Sequence, residues 1–259
     1  MKALNNFKKF RFLLVELVKK NIKLKYRRSY LGMFWTLLEP IMTTMVLTFV
    51  FGTLLKRSSD PVYPVFILIG RLSYSFFSGG SKAAMRSVRK HSGMIKKVYV
   101  PKYIYPLSSV LSNFVIYLIS LLVLVGACIV KKVHITPNVV LVVVPILILT
   151  LLTLGVGVLL SSLSVFFKDL EYLWDVALTL IMYCSAIFYS VDPVANKSLY
   201  QVIRWNPLYG IIQNMRRVVI YGQSLDLYTT LYAFSFSVLS IAFGLYVFKK
   251  TQDKFILYV

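Results

Sequence analysis

Six long apolar runs separated by shorter polar stretches restrict the folds open to this chain. The runs cover residues 33–55, 62–77, 104–130, 139–166, 173–191 and 229–248. A helix needs about 20 residues to cross the roughly 30 Å of hydrocarbon in a bilayer. We therefore expect an all-α, polytopic membrane protein with six transmembrane helices, forming one domain over residues 1–259.

The distribution of basic residues predicts the topology. The chain has 30 Lys and Arg against 9 Asp and Glu, a formal net charge of +21. Segments 1–32, 81–103, 167–172 and 249–259 hold 21 of the basic residues, whereas 56–61, 131–138 and 192–228 hold 8. Because cytoplasmic loops carry the excess of Lys and Arg, both termini are predicted to be cytoplasmic. The charges occur in short islands without a folded basic face, which argues against nucleic-acid binding.

Residues 1–30 have the pattern of an amphipathic helix. Phe10, Leu14 and Leu17 recur at three- and four-residue spacing, with lysines and arginines on the rest of the helix. Such a helix lies in the membrane interface. A calmodulin-type target helix has a similar pattern, but the direct connection to a membrane span favours the interfacial helix.

A basic island at residues 81–100 follows the second run and must lie outside the hydrocarbon. Gly79-Gly80 is expected to end the span, Ser81 to cap a new helix and Gly93 to close it. Arg86 and Lys90 would then lie one turn apart, which favours an acidic partner or anionic lipid headgroups facing them. The alternative is a plain topology signal.

The segment 192–228 is too long for a simple hairpin between the last two spans. Pro207 opens a predicted helix with Arg216 and Arg217 opposite its apolar face. We expect this helix to lie on the outer leaflet or to dip into it as a re-entrant helix. Its apolar face consists of Leu208, Ile211, Ile212, Met215, Val218 and Val219.

The sequence offers little for catalysis or metal binding, and we predict neither kind of site. HExxH, CxxC and the phosphate-loop motif are absent from the sequence, and Cys128 and Cys184 lie in apolar runs. One alternative is a membrane transferase that uses the acidic residues Asp169, Glu171 and Asp175. Another alternative is a secondary carrier, which would show inverted repeats, and no such repeat is found in the sequence.

Two charged residues fall within apolar runs and are functional candidates. Glu39 lies about one and a half turns inside the first span, and Arg71 lies near the middle of the second. They could pair with each other, or Arg71 could line a polar path for an anionic substrate. In the fourth span, Gly155, Gly157 and Ser161 are small residues that favour close helix packing.

Aromatic side chains make up 15% of the chain. Trp35, Trp174 and Trp205 lie near predicted interfaces, where such rings anchor spans. In the fifth span Tyr183 and Phe188, with Tyr189, either pack within the protein or stack on sugar rings.

Four separated motifs together resemble one known family. They are KYRRSYLGMFWTLLEP at residues 25–40, IKKVYVPKYIYPLSSVLSNFV at 95–115, FFKDLEYLWDVALTLIMYCSAIFYSVDPV at 166–194 and WNPLYGIIQNMRRVVIYG at 205–222. In this order the chain resembles the permease subunit of ABC-2-type polysaccharide exporters, which move O-antigen, capsule, teichoic acid or related glycans across the cytoplasmic membrane of bacteria.

The resemblance implies a homodimer bound to two copies of a separate ATP-binding subunit, which would supply ATP and Mg²⁺; no cofactor is expected in this chain. Residues 81–100 would be the cytoplasmic coupling helix that docks on the ATPase. The residues expected there are Arg86, Arg89, Lys90, His91, Ile95, Lys96, Lys97, Tyr99 and Pro101.

A lipid-linked glycan would pass between the two subunits, within the surrounding membrane lipids. The residues expected at its entrance and along its path are Arg27, Arg28, Trp35, Glu39, Arg71, Tyr183, Phe188 and Tyr189. Those expected in the outer re-entrant segment are Trp205, Asn206, Pro207, Arg216 and Arg217. The motif positions matched most directly are Leu31-Gly32, Glu39-Pro40, Pro101, Phe167–Asp169 and Asn206-Pro207. Arg71 departs from the uncharged residue that the resemblance implies.

Overall fold

The structure, a computed structural model, describes residues 2–27, 29–54, 60–96, 100–134, 136–190, 201 and 203–258. Every regular element in these ranges is a helix, which confirms the all-α fold class. The predictions for Arg28, Lys97 and Tyr99, and those for residues 191–200, lie outside the described ranges.

Ten α-helices are described, joined by short 3₁₀ and π-helical segments. They are α1 (Lys2–Tyr26), α2 (Trp35–Leu47), α3 (Tyr63–Lys90), α4 (Ser92–Ile95), α5 (Ile104–Val130), α6 (Val143–Phe166), α7 (Leu170–Cys184), α8 (Pro207–Val219), α9 (Leu227–Thr251) and α10 (Phe255–Tyr258). A 3₁₀ turn at Gly32–Phe34 leads into α2, which continues as a π-helix over Thr48–Leu54. Two more 3₁₀ segments, Pro137–Val142 and Gln252–Lys254, precede α6 and α10.

Four helical stretches in the described chain are long and apolar enough to cross a membrane. They are Gly32–Gly52, Ile104–Val130, Pro137–Phe166 and Leu227–Lys254. In α3, Arg71 and several serines and glycines interrupt the apolar residues, and α7 has only 15 residues. The fifth apolar run was expected to be helical to residue 191, but its helix ends at Cys184. The count of six spans therefore stays a prediction.

Helix α3 runs without a break from the second apolar run into the basic island. The prediction that Gly79-Gly80 ends one helix and Ser81 begins another is wrong. Glycine inside a helix costs about 1 kcal/mol relative to alanine, but here close packing requires it. A Cβ atom on Gly80 would lie 2.6 Å from Thr153 Cγ2 of α6. The helix ends at Lys90, and Gly93 lies inside the short α4 rather than closing a helix.

The small residues of α6 let three helices approach closely, as predicted. A Cβ atom on Gly155 would lie 2.6 Å from the backbone nitrogen of Ile241 in α9, and one on Gly244 would lie 2.7 Å from Gly155 O. On the other side of α6, Ser164 Oγ donates a 2.6 Å hydrogen bond to Met85 O of α3. Helix α6 is therefore the centre of the bundle, with α3 and α9 packed against it.

A proline in α2 is compensated from the neighbouring helix. Pro40 has no N–H, so it cannot donate to the carbonyl of Thr36 one turn earlier. Ser120 Oγ of α5 donates a 3.1 Å hydrogen bond to this carbonyl instead. Serine hydroxyls commonly satisfy such backbone groups in membrane helices, and this one fixes α2 against α5.

The amphipathic helix α1 packs on the bundle through the face that the sequence predicted. Leu14 and Leu17 are buried in a cluster with Val88, Tyr105 and Phe255. On its other face Phe12 is 78% exposed. Helix α1 therefore contacts both the protein and the space around it.

We predict that Gly155→Ala destabilises the fold, because its methyl group would force α6 and α9 apart. Overpacking of this kind costs about 1–3 kcal/mol, which should lower the Tm of the detergent-solubilised protein by several degrees. Gly126→Ala in α5 is the matched control, since nothing lies within 4 Å of its added Cβ. Equal Tm values for the two variants would contradict the close α6–α9 contact.

Candidate functional site

Three clefts adjoin one another along α3, which contributes residues to each of them. The first, the Lys25 cleft, has a volume of about 330 Å³ and lies among α1, α2, α3 and α5. The second, the Tyr183 cleft, has about 490 Å³ and shares Thr43 and Arg71 with the first. The third, the Tyr221 cleft, has about 300 Å³ and shares Phe188 with the second. These shared residues connect the clefts into one line.

The Lys25 cleft is polar and carries several charges. Lys25, Arg71 and Lys82 line it together with one carboxylate, that of Glu39. Within the described ranges, no ion pair joins Arg71 to Glu39. The predicted structural pair is therefore not formed, although both residues line the same cleft.

One face of α3 supplies a polar wall to this cleft. Arg71, Ser75, Ser78 and Lys82 follow one another at spacings of three and four residues. Residues at this spacing lie on one side of a helix. Asn113, Tyr117 and Ser120 of α5 face them across the cleft. The wall thus offers hydrogen-bond donors and acceptors over several turns.

The protein around Lys25 lowers the pKa of its ammonium group by desolvation, and the nearby Glu39 carboxylate partly offsets this shift. Lys25 belongs to α1, next to the predicted entrance residue Arg27. Arg27 itself is exposed and does not line the cleft, and neither does Trp35, which is 40% exposed. Lys25 therefore lines the cleft, and the entrance role of Arg27 stays a prediction.

The Tyr183 cleft is largely apolar and lies between α2 and α7. Tyr183 is 56% exposed there, whereas Phe188 is buried and its ring stacks on Phe51 with centroids 4.8 Å apart. Tyr189 lines the Tyr221 cleft and donates a 2.7 Å hydrogen bond to Tyr183 O. Of the three residues for which stacking on sugar was one alternative, Tyr183 has the most exposed side chain.

Acidic side chains of α7 bind the basic part of α3. Arg86 Nε donates a 2.9 Å hydrogen bond to Glu171, and Arg89 donates to the other oxygen of the same carboxylate. One turn further along α7, Asp175 forms a 2.7 Å ion pair with Lys82. Of the partners that the sequence left open for Arg86, the acidic one is present and lies within the chain.

Trp174 completes this contact, because its Nε1 donates a 3.1 Å hydrogen bond to Ser81 Oγ. Its role is packing between α7 and α3 in addition to any anchoring.

The ion pairs of the acidic residues in α7 also bear on the transferase alternative. Glu171 and Asp175 are occupied by ion pairs, and the described ranges hold no cluster of three metal-binding side chains.

The rest of the basic island divides into exposed and buried residues. Lys90 and Lys96 are exposed, whereas His91 is buried and its ring stacks on Tyr105 with centroids 4.8 Å apart. Burial lowers the pKa of His91, and its Nδ1 lies 2.8 Å from Ser87 O. Ile95 is buried as well, and Pro101 is partly buried. His91 and Ile95 therefore belong to the interior rather than to an exposed surface.

Helix α8 begins as predicted at Pro207, and Asn206 caps it. Asn206 Oδ1 accepts a 3.0 Å hydrogen bond from Leu208 N, and its Nδ2 donates to Ser185 Oγ at 2.9 Å. This cap ties α8 to the end of α7. Trp205, just before it, is 78% exposed and accepts a hydrogen bond at its carbonyl from Tyr232.

Arg216 does not lie on an exposed face of α8, and that prediction is wrong. The residue is fully buried. Its guanidinium donates to the carbonyls of Ala186 and Ile187 at 3.0 Å and to Phe66 O at 3.2 Å, and it stacks 3.4 Å above the Phe66 ring. Gly70 leaves room for it. Arg217 is partly buried and donates only to Ser224 O, at 3.3 Å.

Sequence reasoning missed Lys25 and Lys82 as cleft residues, and it missed the Glu171 contact. A signal for Lys82 was present, because the polar residues of α3 keep a helical spacing from Arg71 through Lys82 to Arg86. The presumed break at Gly79-Gly80 concealed this continuity. No local pattern indicated that Arg216 would be buried, since its acceptors are backbone carbonyls distant in sequence.

Comparisons with known proteins match most of the chain. A family model described as ABC-2 type transporter matches residues 13–220. An O-antigen export system permease protein RfbA of Klebsiella pneumoniae is 29% identical over 94% of this chain and 93% of its own length. The protein of the same name in Myxococcus xanthus is 27% identical, over 81% and 80%. The polysialic acid transport protein KpsM of Escherichia coli is 20% identical, over 90% and 91%.

We predict that Arg216→Gln strongly destabilises the protein, because backbone carbonyls would remain buried without donors. Each such group costs about 1–3 kcal/mol, so the Tm of the solubilised protein should fall by about 5–10 °C. Arg217→Gln changes the same charge on the next residue and should shift the Tm by less than about 2 °C. A similar small shift for both variants would contradict the role given to Arg216.

Proposed function

The chain belongs to the ABC-2 type transporter family, and from this premise we propose that it is the membrane permease of an ATP-driven polysaccharide exporter. The relatives over nearly its whole length carry the names of O-antigen export and polysialic acid transport proteins. The chain acts as a transport subunit and not as an enzyme. Its own side chains bind and guide the substrate.

The line of three clefts is the observation that carries this proposal. A polysaccharide is rich in hydroxyl groups, so its path requires hydrogen-bonding side chains and surfaces for sugar rings. The Lys25 cleft offers the former along α3 and α5. The Tyr183 cleft offers apolar and aromatic surface, and the Tyr221 cleft adds Asp60, Tyr63 and Tyr221.

We propose that the chain crosses the bacterial cytoplasmic membrane six times, with both termini in the cytoplasm. Four stretches suit this role by length and composition, and the N-terminal part of α3 together with α7 would supply the other two. Helix α8 would then form the outer re-entrant segment. The excess of basic residues in 1–32 and 81–103 supports this orientation.

The clefts favour a homodimer, because a single chain leaves their sides open. Large apolar side chains flank the opening on both helices that border the Tyr183 cleft. Met42 and Val46 of α2 line this cleft and are 55% and 61% exposed, and Val176 and Leu180 of α7 are 71% and 64% exposed. A second copy placed against these helices would cover the apolar surface and close the path.

ATP hydrolysis is assigned to two copies of a separate ATP-binding subunit, which would bind ATP and Mg²⁺. The exposed part of the basic island, including Lys90 and Lys96, would dock on it. Movement of this surface would act on α3 directly. It would reach α7 through Glu171 and Asp175, which bind Arg86, Arg89 and Lys82.

The proposed substrate is a lipid-linked glycan of the O-antigen, capsule or teichoic acid type. The Lys25 cleft lies against α1. The exposed side chains of α1 include several lysines as well as Phe12. A helix of this kind lies at the membrane surface, where a lipid-linked headgroup is also found.

The direct test is export by a strain that lacks its own permease. The chain expressed with its ATP-binding partner should restore glycan at the cell surface, measured with a glycan-specific antibody. The purified chain alone should hydrolyse no ATP, because it contains no phosphate-loop motif. Hydrolysis by the pure chain, or no surface glycan from the complete pair, would contradict the proposal.

We also predict that Lys90→Glu with Lys96→Glu reduces co-purification of the ATP-binding partner severalfold, because charge reversal on a docking surface weakens association. Lys249→Glu with Lys250→Glu is the matched control, since these residues are equally exposed near the C-terminus. Membrane insertion should be normal in both pairs. Equal retention of the partner by both would rule out docking through Lys90 and Lys96.

A further inference from the structure

Arg216 and Arg71 both lie within the helical bundle, and their surroundings differ. Arg216 is fully buried, and backbone carbonyls of three residues accept its N–H groups. Its ring contact with Phe66 completes the enclosure. This is how a structural arginine is satisfied in a low-dielectric environment.

Arg71 lacks such partners. It has neither a hydrogen bond nor an ion pair to any residue in the described ranges, and it is only partly buried. It lines both the Lys25 cleft and the Tyr183 cleft, so its guanidinium lies where the two meet. A charge at the depth of a membrane span costs about 2.5–3.5 kcal/mol even on lenient scales. A structural role would not explain an arginine left without acceptors.

The charges around Arg71 favour an anionic ligand. Three basic residues and one acidic residue line the Lys25 cleft. Lys82 is partly neutralised by its 2.7 Å ion pair with Asp175, whereas Lys25 forms no ion pair among the described residues. Hydroxyl and amide groups of Ser75 and Asn113 line the same cleft. The cleft therefore holds an excess of positive charge beside neutral hydrogen-bonding groups.

The spacing along α3 separates the cations into two levels. Arg71 and Lys82 are eleven residues apart, which corresponds to about 16 Å along a helix. Lys82 and Lys25 can therefore act at one level of the cleft, and Arg71 at a second level that opens into the Tyr183 cleft.

We propose that Arg71 binds a phosphate group of the lipid carrier to which the exported glycan is attached, and that Lys25 and Lys82 guide this group into the cleft. The inference rests on the proposed function for the source of the phosphate. A guanidinium can donate two parallel hydrogen bonds to phosphate oxygens, a geometry that a lysine ammonium cannot reproduce. Lysines suit the part of the Lys25 cleft that the phosphate group reaches first, because they attract the phosphate as flexible point charges.

The test uses the permease with its ATP-binding partner in lipid nanodiscs and tritiated farnesyl diphosphate as the probe. Arg71→Gln should raise the Kd for this probe about tenfold or more, since charged hydrogen bonds to phosphate are lost. Arg71→Lys should give a smaller increase. Arg204→Gln is the matched control on an exposed arginine outside the clefts, and its Kd should stay within twofold of the wild type. Melting curves of all variants verify that each is folded.

The competing ligands separate the two sources of phosphate. Farnesyl monophosphate should compete with the probe, while farnesol should not, if the phosphate is the recognised group. If inorganic pyrophosphate competes at the same concentrations as unlabelled farnesyl diphosphate, the site binds a free anion, and the assignment to the lipid carrier is overturned. An unchanged Kd in a folded Arg71→Gln variant, or an equal loss in Arg204→Gln, overturns the site itself.

Export measured beside binding keeps this inference distinct from the proposed function. If the wild-type pair fails to restore surface glycan, the proposed function fails whatever Arg71 binds. If the wild-type pair exports glycan and Arg71→Gln exports equally well with an unchanged Kd, only the present inference fails. The result we expect is normal assembly with the partner, weaker probe binding and reduced surface glycan in Arg71→Gln.

Discussion

The hydrogen bonds of the buried Arg216 guanidinium hold together the part of the chain where regular helix stops. Helix α7 ends at Cys184, so the carbonyls of Ala186 and Ile187 have no helical partners, and lipid could not supply donors to them. Arg216 of α8 donates to both carbonyls and also to Phe66 O of α3. One side chain thereby fixes α8, the end of α7 and α3 together. Phe188 follows directly and lines both the Tyr183 cleft and the Tyr221 cleft.

Helix α3 connects the clefts to the basic island because it is continuous from Tyr63 to Lys90. Its polar face lines the Lys25 cleft as far as Lys82, and the same helix carries Arg86 about one turn later and Arg89 about two turns later. These arginines bind Glu171 at the start of α7, whose other end borders the Tyr183 cleft. In this arrangement α3 and α7, which both contribute residues to the Tyr183 cleft, are joined to each other at the basic island. The link consists of three ion pairs, Arg86–Glu171, Arg89–Glu171 and Lys82–Asp175.

Motif order was more informative than local pattern. Each of the four motifs covers only part of the chain, but their order along the chain indicated the family. A family model then matched residues 13–220. Local rules failed where packing outweighed propensity. Gly80 was expected to end a helix but lies inside α3. The position requires glycine because a side chain there would collide with Thr153. Arg216 looked exposed by helical periodicity but is buried, because carbonyls from other elements satisfy it.

The sequence by itself determined the helical membrane class, the amphipathic face of α1, the close packing of α6 and the start of α8 at Pro207. These features depend on hydrophobic spacing, small residues and capping, all of which act between residues near in sequence. Only the tertiary structure decided that Arg71 has no hydrogen-bond or ion-pair partner among the described residues while Arg216 has several, and that Glu171 binds Arg86. Hydrogen bonds and ion pairs of this kind join residues far apart in the chain, and their formation depends on how the helices pack. Local sequence patterns contain no record of that packing.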